Sequence, residues 1–579
     1  MSAVLEAHEP SAKYLSALQP KLVQQFELLG TAPGGVVKLR ELILTLAVRG
    51  KLVQQDPSDE PASDLLKKIQ AERERLVVTK TIRRAKPMNL VDESEYWFEL
   101  PRTWVWERLG NLGDWGAGAT PSRTNNSYYG GNIPWFKSGE LTADFISDAE
   151  ETVTDQALRE CSLRLNAVGD VLIAMYGATI GKTSILSVAA TTNQAVCACT
   201  PFGGLSNTYL LLLMKALKQY FISIGAGGAQ PNISREKVIS TVVGLPPLAE
   251  QSRIVTRVEE LMRLCDALEA KGHLEAAQHV QLVQTLLGAL TASATPDELA
   301  DNWQRVATHF DLLLDRPEAV DALEQTILQL AVRGLLVRQD PNDEPASVLL
   351  QRIRNKKERP LAKSNAKQDE SFSEIKEAEQ PFDLPNGWEW VRMGNLIEGG
   401  SGTTPLRARS DYFAAGTEMW VKTTDLNNGV VTSCEELITK TAVVENRLKY
   451  FPAGTVCVAM YGGAGTIGKS GVLGVASTIN QSVFALPPAE GIDSDFLHTY
   501  VISVRSKWMS FAAGLRKDPN INGQIIKRMV MPLPPLAEQL RIVARVESLR
   551  CLCADLRQRL AARKTTQAHL AEALIDEVA

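Results

Sequence analysis

The chain says nearly everything twice. ILTLAVRGKLVQQDPSDEPASDLL (Ile43 to Leu66) returns as ILQLAVRGLLVRQDPNDEPASVLL (Ile327 to Leu350), displaced by 284 residues. LPRTWVWERLGNL (Leu100 to Leu112) returns as LPNGWEWVRMGNL (Leu384 to Leu396) at the same displacement. AMYGATIGKTSIL from Ala174 is echoed by AMYGGAGTIGKSGVL from Ala459, and LPPLAEQSRIVTRVE from Leu245 by LPPLAEQLRIVARVE from Leu533. By then the displacement is 288, so only four residues were gained between the copies. One module used twice makes two similar surfaces, expected to be related by a pseudo-two-fold axis. Such a molecule suits a two-sided target, as duplex DNA is.

Each copy has three parts. A helical segment comes first, Phe26 to about Lys86 and again Phe310 to about Lys367. In it Leu39, Leu42, Ile43, Leu46 and Ala47 share one helical face, Gly50 is a plausible C-cap, and Ser63 is a plausible N-cap for the next helix. A polar linker such as NAKQDESFSEIKEAEQ follows in the second copy. A Gly- and Thr-rich body comes next, Leu100 to Leu245 and Leu384 to Leu533. Short β-branched runs and helical stretches alternate there, which predicts an α+β domain with a curved sheet.

Last comes a long amphipathic helix. Ile254, Val258, Leu261, Cys265 and Leu268 are spaced 4-3-4-3, and Val283, Leu287 and Leu290 resume the stripe after an irregular patch at Gly272. Ile542, Val546, Leu549, Cys553, Leu556 and Leu560 repeat it, continued by Leu570 and Leu574. Alternating 3-4 spacing in two related helices predicts a coiled-coil seam, with burial inside one globular core as the alternative. Roughly 40 residues of helix would span about 60 Å, more than one turn of DNA.

At 579 residues the chain has room for three or four domains. A net charge of −5 argues against wrapping DNA by charge alone. Basic residues do cluster before each LP-x-x-W motif: Arg73, Arg75, Lys80, Arg83, Arg84 and Lys86, then Arg352, Arg354, Lys356, Lys357, Arg359, Lys363 and Lys367. These suit phosphate contact and solvated helix ends equally. The longest apolar run, Tyr209 to Met214, is far short of a membrane span, and MSAVLEAHEP lacks a signal-peptide pattern. Eight scattered cysteines, with C-x-C pairs at Cys197/Cys199 and Cys551/Cys553 but no C-x-x-C, suggest buried thiols in a reducing cytoplasm.

Catalytic signatures are missing where they would be expected. Gly463 to Ser470, GAGTIGKS, fits the phosphate-loop pattern letter for letter. A working phosphate loop must be followed by a helix, yet SGVLGVASTIN reads as strand, and the matching GATIGKT (Gly177 to Thr183) is one residue short between its glycines. The six histidines are dispersed, and no nucleophile–base pair or paired carboxylates can be nominated. The chain looks like a reader, not an enzyme.

GATPSRTNNSYYGGNIPWFKSGEL (Gly118 to Leu141) and GTTPLRARSDYFAAGTEMWVKTTDL (Gly402 to Leu426) resemble the block that opens target-recognition domains in specificity (S) subunits of type I restriction-modification systems. So do TTNQAV and STINQSV, QPNIS and DPNIN, and LPPLAEQ in duplicate. The first copy departs from the pattern at Ser138 to Leu141 (SGEL), and the second has Met419-Trp420 in place of Pro-Trp. The resemblance covers essentially the whole chain. It implies two similar α+β target-recognition domains separated by long antiparallel coiled-coil helices. The parts are an N-terminal helical region at 1–99, domains at 100–245 and 384–533, a central helical region at 246–383, and a C-terminal spacer helix at 534–579. Each domain would read one half of a bipartite site on double-stranded DNA. The implied partners are two modification (methyltransferase) subunits carrying S-adenosylmethionine and restriction (motor/nuclease) subunits using ATP and Mg; this chain itself would bind no cofactor or metal.

The candidate DNA contacts in the first domain are Ser122, Arg123, Asn125, Asn126, Tyr128, Lys137, Lys182, Gln194, Gln230 and Asn232. Those in the second are Arg407, Arg409, Tyr412, Lys422, Lys469, Gln481, Arg516, Lys517, Asn520 and Asn522. Arg reads guanine, Asn and Gln read adenine, and Lys anchors phosphate. Asn193, Gln194, Asn480 and Gln481 recur in both copies, so holding a turn is the competing role. Trp135 and Trp420 are expected in the core. The alternatives are a specificity subunit of another multisubunit restriction system, an ATP-binding enzyme using Gly463 to Ser470, and a coiled-coil scaffold with no DNA role.

Overall fold

The computed structural model describes residues 29–30, 32–84, 86–225, 232–293, 295–361, 375–462, 465–511 and 521–578. The chain divides into two compact units, one of residues 1–275 with 564–579, the other of residues 276–563. Each holds one copy of the repeat.

In the first unit the helix Gly35–Val48 buries Leu39, Leu42, Ile43, Leu46 and Ala47, the face its spacing predicts. Gly50 follows with φ +68°, and a Cβ there would stand 2.4 Å from Pro101 Cγ, so both backbone and space require glycine. Ser63 does not cap the next helix, Ala62–Val78, but lies in its first turn after Pro61. The helix starts one residue earlier: the Leu65 N–H that a Ser63 cap would serve donates to the Pro61 carbonyl at 3.3 Å, and the Ala62 N–H is satisfied by the Thr103 carbonyl at 3.0 Å.

Ten strands follow among the described residues: β1 (Val105–Arg108), β2 (Gly113–Ala117), β3 (Tyr129–Phe136), β4 (Phe145–Ile146), β5 (Thr152–Val153), β6 (Val171–Ala174), β7 (Thr183–Leu186), β8 (Thr191–Thr192), β9 (Val196–Pro201) and β10 (Val242–Leu245). The expected single sheet is divided. A five-stranded sheet runs β2-β9-β6-β7-β4, a three-stranded one β5-β3-β8, and β1 pairs with β10 to close the domain's two ends. Pro134 in β3 has no N–H for a long ladder, and β3 slips register against β5 between Tyr129 and Ile133. The second unit repeats the plan. Its strands are β11 (Glu389–Arg392), β12 (Gly400–Ser401), β13 (Glu418–Val421), β14 (Val430–Val431), β15 (Leu437–Ile438), β16 (Val456–Ala459), β17 (Ser470–Leu473), β18 (Thr478–Ile479), β19 (Val483–Leu486) and β20 (Val530–Leu533). They are ordered β12-β19-β16-β17-β14, β15-β13-β18 and β11-β20.

The repeated motifs meet at one buried junction. Trp104 Nε1 of LP-x-x-W donates to Glu250 Oε2 of LPPLAEQ at 3.0 Å. Gln55 of the LVQQDP segment donates to the other carboxylate oxygen and accepts from Thr103 Oγ1 at 2.7 Å. Arg253 pairs with Asp59 beside it. In the second unit Trp388 and Gln339 reach Glu538 at 3.0 and 3.1 Å, and Arg541 pairs with Asp343. Burial raises the pKa of both glutamates above the carboxylate norm, against the pull of these donors. Motifs far apart in sequence thus repeat together because they form one joint between helical segment, body and long helix.

The long helices are Leu248–Ala292 (45 residues) and Leu536–Val578 (43 residues), the first unbroken at Gly272. In the first unit the start of one (Ile254, Val258, Leu261, Cys265) shares a core with the end of the other (Ala571, Ile575). The second unit has the converse: Val283, Leu287 and Leu290 share a core with Ile542, Val546 and Cys553. Start lies with end in each unit, as antiparallel packing requires. Leu570, expected in the seam, is 48% exposed, while Ala571 is 1% exposed. Alternating steps of 3 and 4 continued from Leu560 arrive at position 570, so the buried face has shifted by one residue, to Ala571, beyond the exposed stretch. The expected seam is also interrupted, since residues 269–275 and 561–567 are exposed.

The phosphate-loop reading of Gly463 to Ser470 meets a strand, not a helix: Ser470 opens β17, although residues 463 and 464 lie outside those described. Cys197 and Cys199 are buried on β9, and burial pushes the Cys197 thiol up to about 12. Among the described residues no group of His, Cys, Asp or Glu could hold a metal ion, and no helix is long and apolar enough to cross a membrane.

One buried group distinguishes the copies. His498 Nε2 lies 3.0 Å from Ser470 Oγ. Burial, and secondarily Arg550, depresses its pKa to about 4. The unfolded chain takes up this proton near 6.5, so stability is full above that pH and falls as pH drops towards 4. The second unit should lose about 3 kcal/mol across that window. The first has Leu211 and Thr183 at the equivalent positions. His498→Leu should flatten the second unit's acid dependence in pH-resolved hydrogen exchange, and an unchanged slope would refute this.

Candidate nucleic-acid interface

Strand register gathers the candidate residues at one end of each five-stranded sheet. In the first unit Ala117 at the end of β2 pairs with Cys197, Ala174 at the end of β6 with Val196, and Thr183 at the start of β7 with Ile173. The loops 118–128, 175–182 and 193–195 therefore leave from the same end. Asn232 joins them through a bridge to Tyr176, and Ile233 N donates to the Met175 carbonyl at 2.9 Å. Lys137 lies alongside, since Asn193 N donates to the Phe136 carbonyl at 3.0 Å. The second unit assembles the same loops: Ile521 N donates to the Met460 carbonyl and Asn480 N to the Val421 carbonyl. Gln230, Arg516, Lys517 and Asn520 lie outside the described residues.

Several gathered side chains are engaged within the protein, identically in the two copies. Arg123 makes two hydrogen bonds to Glu151 and lies over the rings of Tyr129 and Trp135, 4.6 and 5.1 Å from their centroids. Arg407 does the same with Glu436, Phe413 and Trp420, at 4.8 and 5.2 Å. Lys137 reaches Glu150 at 2.8 Å and Glu151 at 3.1 Å, and Lys422 reaches Glu435 and Glu436 at 3.2 Å each. Arg123 first, then Lys137, holds the Glu151 carboxyl below the usual range, and Arg407 and Lys422 do so for Glu436. Tyr128 and Tyr412 donate to Glu160 and Glu445 at 3.0 and 2.6 Å.

The shared turn behaves as its competing role requires. Asn193 Oδ1 and Asn480 Oδ1 each accept from the N–H two residues on, at 3.1 Å. Gln194 and Gln481 accept from Thr120 and Thr404, tying this turn to the 118–128 loop and its copy. Trp135 and Trp420 are core residues, each 1% exposed, with the indole N–H donated at 3.1 Å to Ala119 and Thr403 carbonyls.

The remaining candidates differ between copies or stand open. Asn125 accepts from Ser127 N at 3.1 Å, whereas Arg409 at the matching place grips Asp411 twice and lies 4.4 Å over Tyr412. Asn522 caps the helix Gly523–Arg528, taking the Ile525 N–H at 2.9 Å. Ser122 bonds Thr124 at 2.8 Å, and Asn126 is exposed. Lys182 and Lys469 are half-buried with no side-chain partner among the described residues. Sequence reasoning missed the anchoring carboxylates, although AEETVT and CEELIT repeat at a displacement of 285. It also missed three exposed groups at this sheet end: Tyr176, Tyr461 and Leu406.

Comparison with known proteins matches this duplicated plan. The family model described as type I restriction modification DNA specificity domain matches twice, over residues 101–278 and 385–562. The chain is 33% identical to the type I restriction enzyme EcoAI specificity subunit of Escherichia coli, over 94% of this chain and 93% of that one. It is 31% identical to the EcoEI specificity subunit of the same organism, with the same shares covered. A chain from a solved structure of the type I R-M system, described for its complex assembly and conformational transition, is 20% identical, covers 83% of this chain and 98% of its own, and has a TM-score of 0.46. A family model that matches both copies, and relatives 33% and 31% identical over 94% of the chain, mean that the chain belongs to the type I restriction-modification specificity subunits.

Proposed function

We propose that residues 100–245 and 384–533 are target-recognition domains, each reading one half of a two-part site on double-stranded DNA through its loop-bearing sheet end. The supporting observation is that both copies carry the same converging loops on the same internal scaffold. Base-edge contacts from each loop set supply sequence choice, and the long helices set the gap between half-sites. Two modification subunits bring S-adenosylmethionine, and restriction subunits bring ATP and Mg, in the cytoplasm. A chain of net charge −5 serves here if the modification subunits supply much of the phosphate contact.

The test is to co-express the chain with its operon-encoded modification subunit and map methylated adenines by sequencing. A two-part motif with a fixed gap is expected; a continuous motif, or none, would overturn the reading. Arg123→Ala should lower modification by weakening presentation of the first loop while leaving the motif unaltered. A changed base preference in the methylation map would instead make Arg123 a base reader.

A further inference from the structure

The duplication supplies an internal comparison, because side chains that make the same bonds twice can be separated from those that differ on the same backbone. Loops 121–128 and 405–412 have one backbone. Asn125 N donates to the Ser122 carbonyl at 3.2 Å and Arg409 N to the Leu406 carbonyl at 3.0 Å. Tyr128 N and Tyr412 N then donate to the carbonyls of residues 125 and 409 at 3.2 and 3.1 Å. Both loops are pinned on each side by the same contacts: Arg123 or Arg407 on a glutamate and two rings, Tyr128 or Tyr412 on another glutamate.

Between and beside these pins the chemistry changes. Ser122, Thr124 and Asn126 in the first loop are replaced by Leu406, Ala408 and Ser410 in the second, and all six are exposed. Ser122 and Thr124 hydrogen-bond each other; Leu406 and Ala408 have no side-chain hydroxyl to do so. Leu406 is 64% exposed, beside the polar and aromatic groups of this sheet end. A leucine there gains nothing from the fold, since it leaves most of its surface in water.

Resting on the reading proposed above, we infer that the pinned arginine and tyrosine form a common frame, that positions 122, 124 and 126 and their copies 406, 408 and 410 set base choice, and that Leu406 packs on a thymine 5-methyl group in the second half-site. Thymine is the base that offers an apolar group on the major-groove edge. Polar Ser122 gives the first domain no such preference at its equivalent position.

Leu406→Ser tests this, because the first copy shows that this backbone carries serine. In the reconstituted methyltransferase complex, the variant should lose its preference for thymine at one position of the second half-site, leaving the first half-site unchanged. Replacing that thymidine by deoxyuridine, which removes only the methyl group, should weaken wild-type binding roughly fourfold, the equivalent of about 0.8 kcal/mol for one methyl-sized group. It should not affect the variant. The reciprocal Ser122→Leu should introduce a thymine preference in the first half-site. An unchanged motif, or equal loss on deoxyuridine DNA in both proteins, overturns the inference. If the wild-type complex shows no two-part motif, the functional reading itself fails.

Discussion

Replacing residues 100–245 with the equivalent domain of another specificity subunit should rewrite one half of the modified site and leave the other half and the gap as they were. β1 pairs with β10, with Val105 opposite Leu245, so the two cut points lie together and the graft enters as a closed unit. The helix Leu248–Ala292, which begins just after the second cut, is retained. The graft must carry a tryptophan at the place of Trp104, or the junction with Glu250 and Gln55 is left open. Losing about three read base pairs at about 1–3 kcal/mol each removes modification of the original site by on the order of 100-fold or more. Methylation sequencing reads the result directly. A change in both halves would mean that the domains do not read independently.

The largest stability loss should come from Trp104→Ala. Its ring is 5% exposed, and Cβ atoms added at Gly50 or Gly244 would lie 3.1 and 3.0 Å from it, so it fills a tightly packed joint. Truncating such a side chain costs about 3–5 kcal/mol. The loss also strips Glu250 of a donor in a buried setting, which adds to the cost. Trp104→Phe keeps most of the packing and removes the N–H, and should cost about 1–3 kcal/mol. Hydrogen exchange should show the first unit opening more readily while the second, with its own Trp388–Glu538 pair, is unchanged. Equal destabilisation of both units would refute a joint local to each copy.

The extent of the fold that could be read from residues alone follows from which signals are local. Helical faces such as Leu39 to Ala47 and the stripes of the long helices are periodic in sequence, and burial follows period. Ser63 looks like a cap, yet the Thr103 carbonyl, distant along the chain, holds the Ala62 N–H and the helix starts before Ser63. Leu570 was misread because a one-residue change in phase moves a side chain off the seam, and nothing in its immediate sequence marks that change. At the interface, residue types were recognised but not their engagement. Nothing beside Arg123 or Arg407 in the sequence marks Glu151 and Glu436, 28 and 29 residues away, as their partners. Leu406 attracted no notice because an apolar residue in a loop has no meaning until its exposure is known.

The repetition by itself determined that there would be two similar bodies and two long helices, because like patterns of apolar spacing and turn residues fold alike. Only the tertiary structure decided which polar side chains converge at a sheet end and which of those are already neutralised. That outcome depends on strand register and on partners distant along the chain, and electrostatic pairing leaves no periodic trace in sequence.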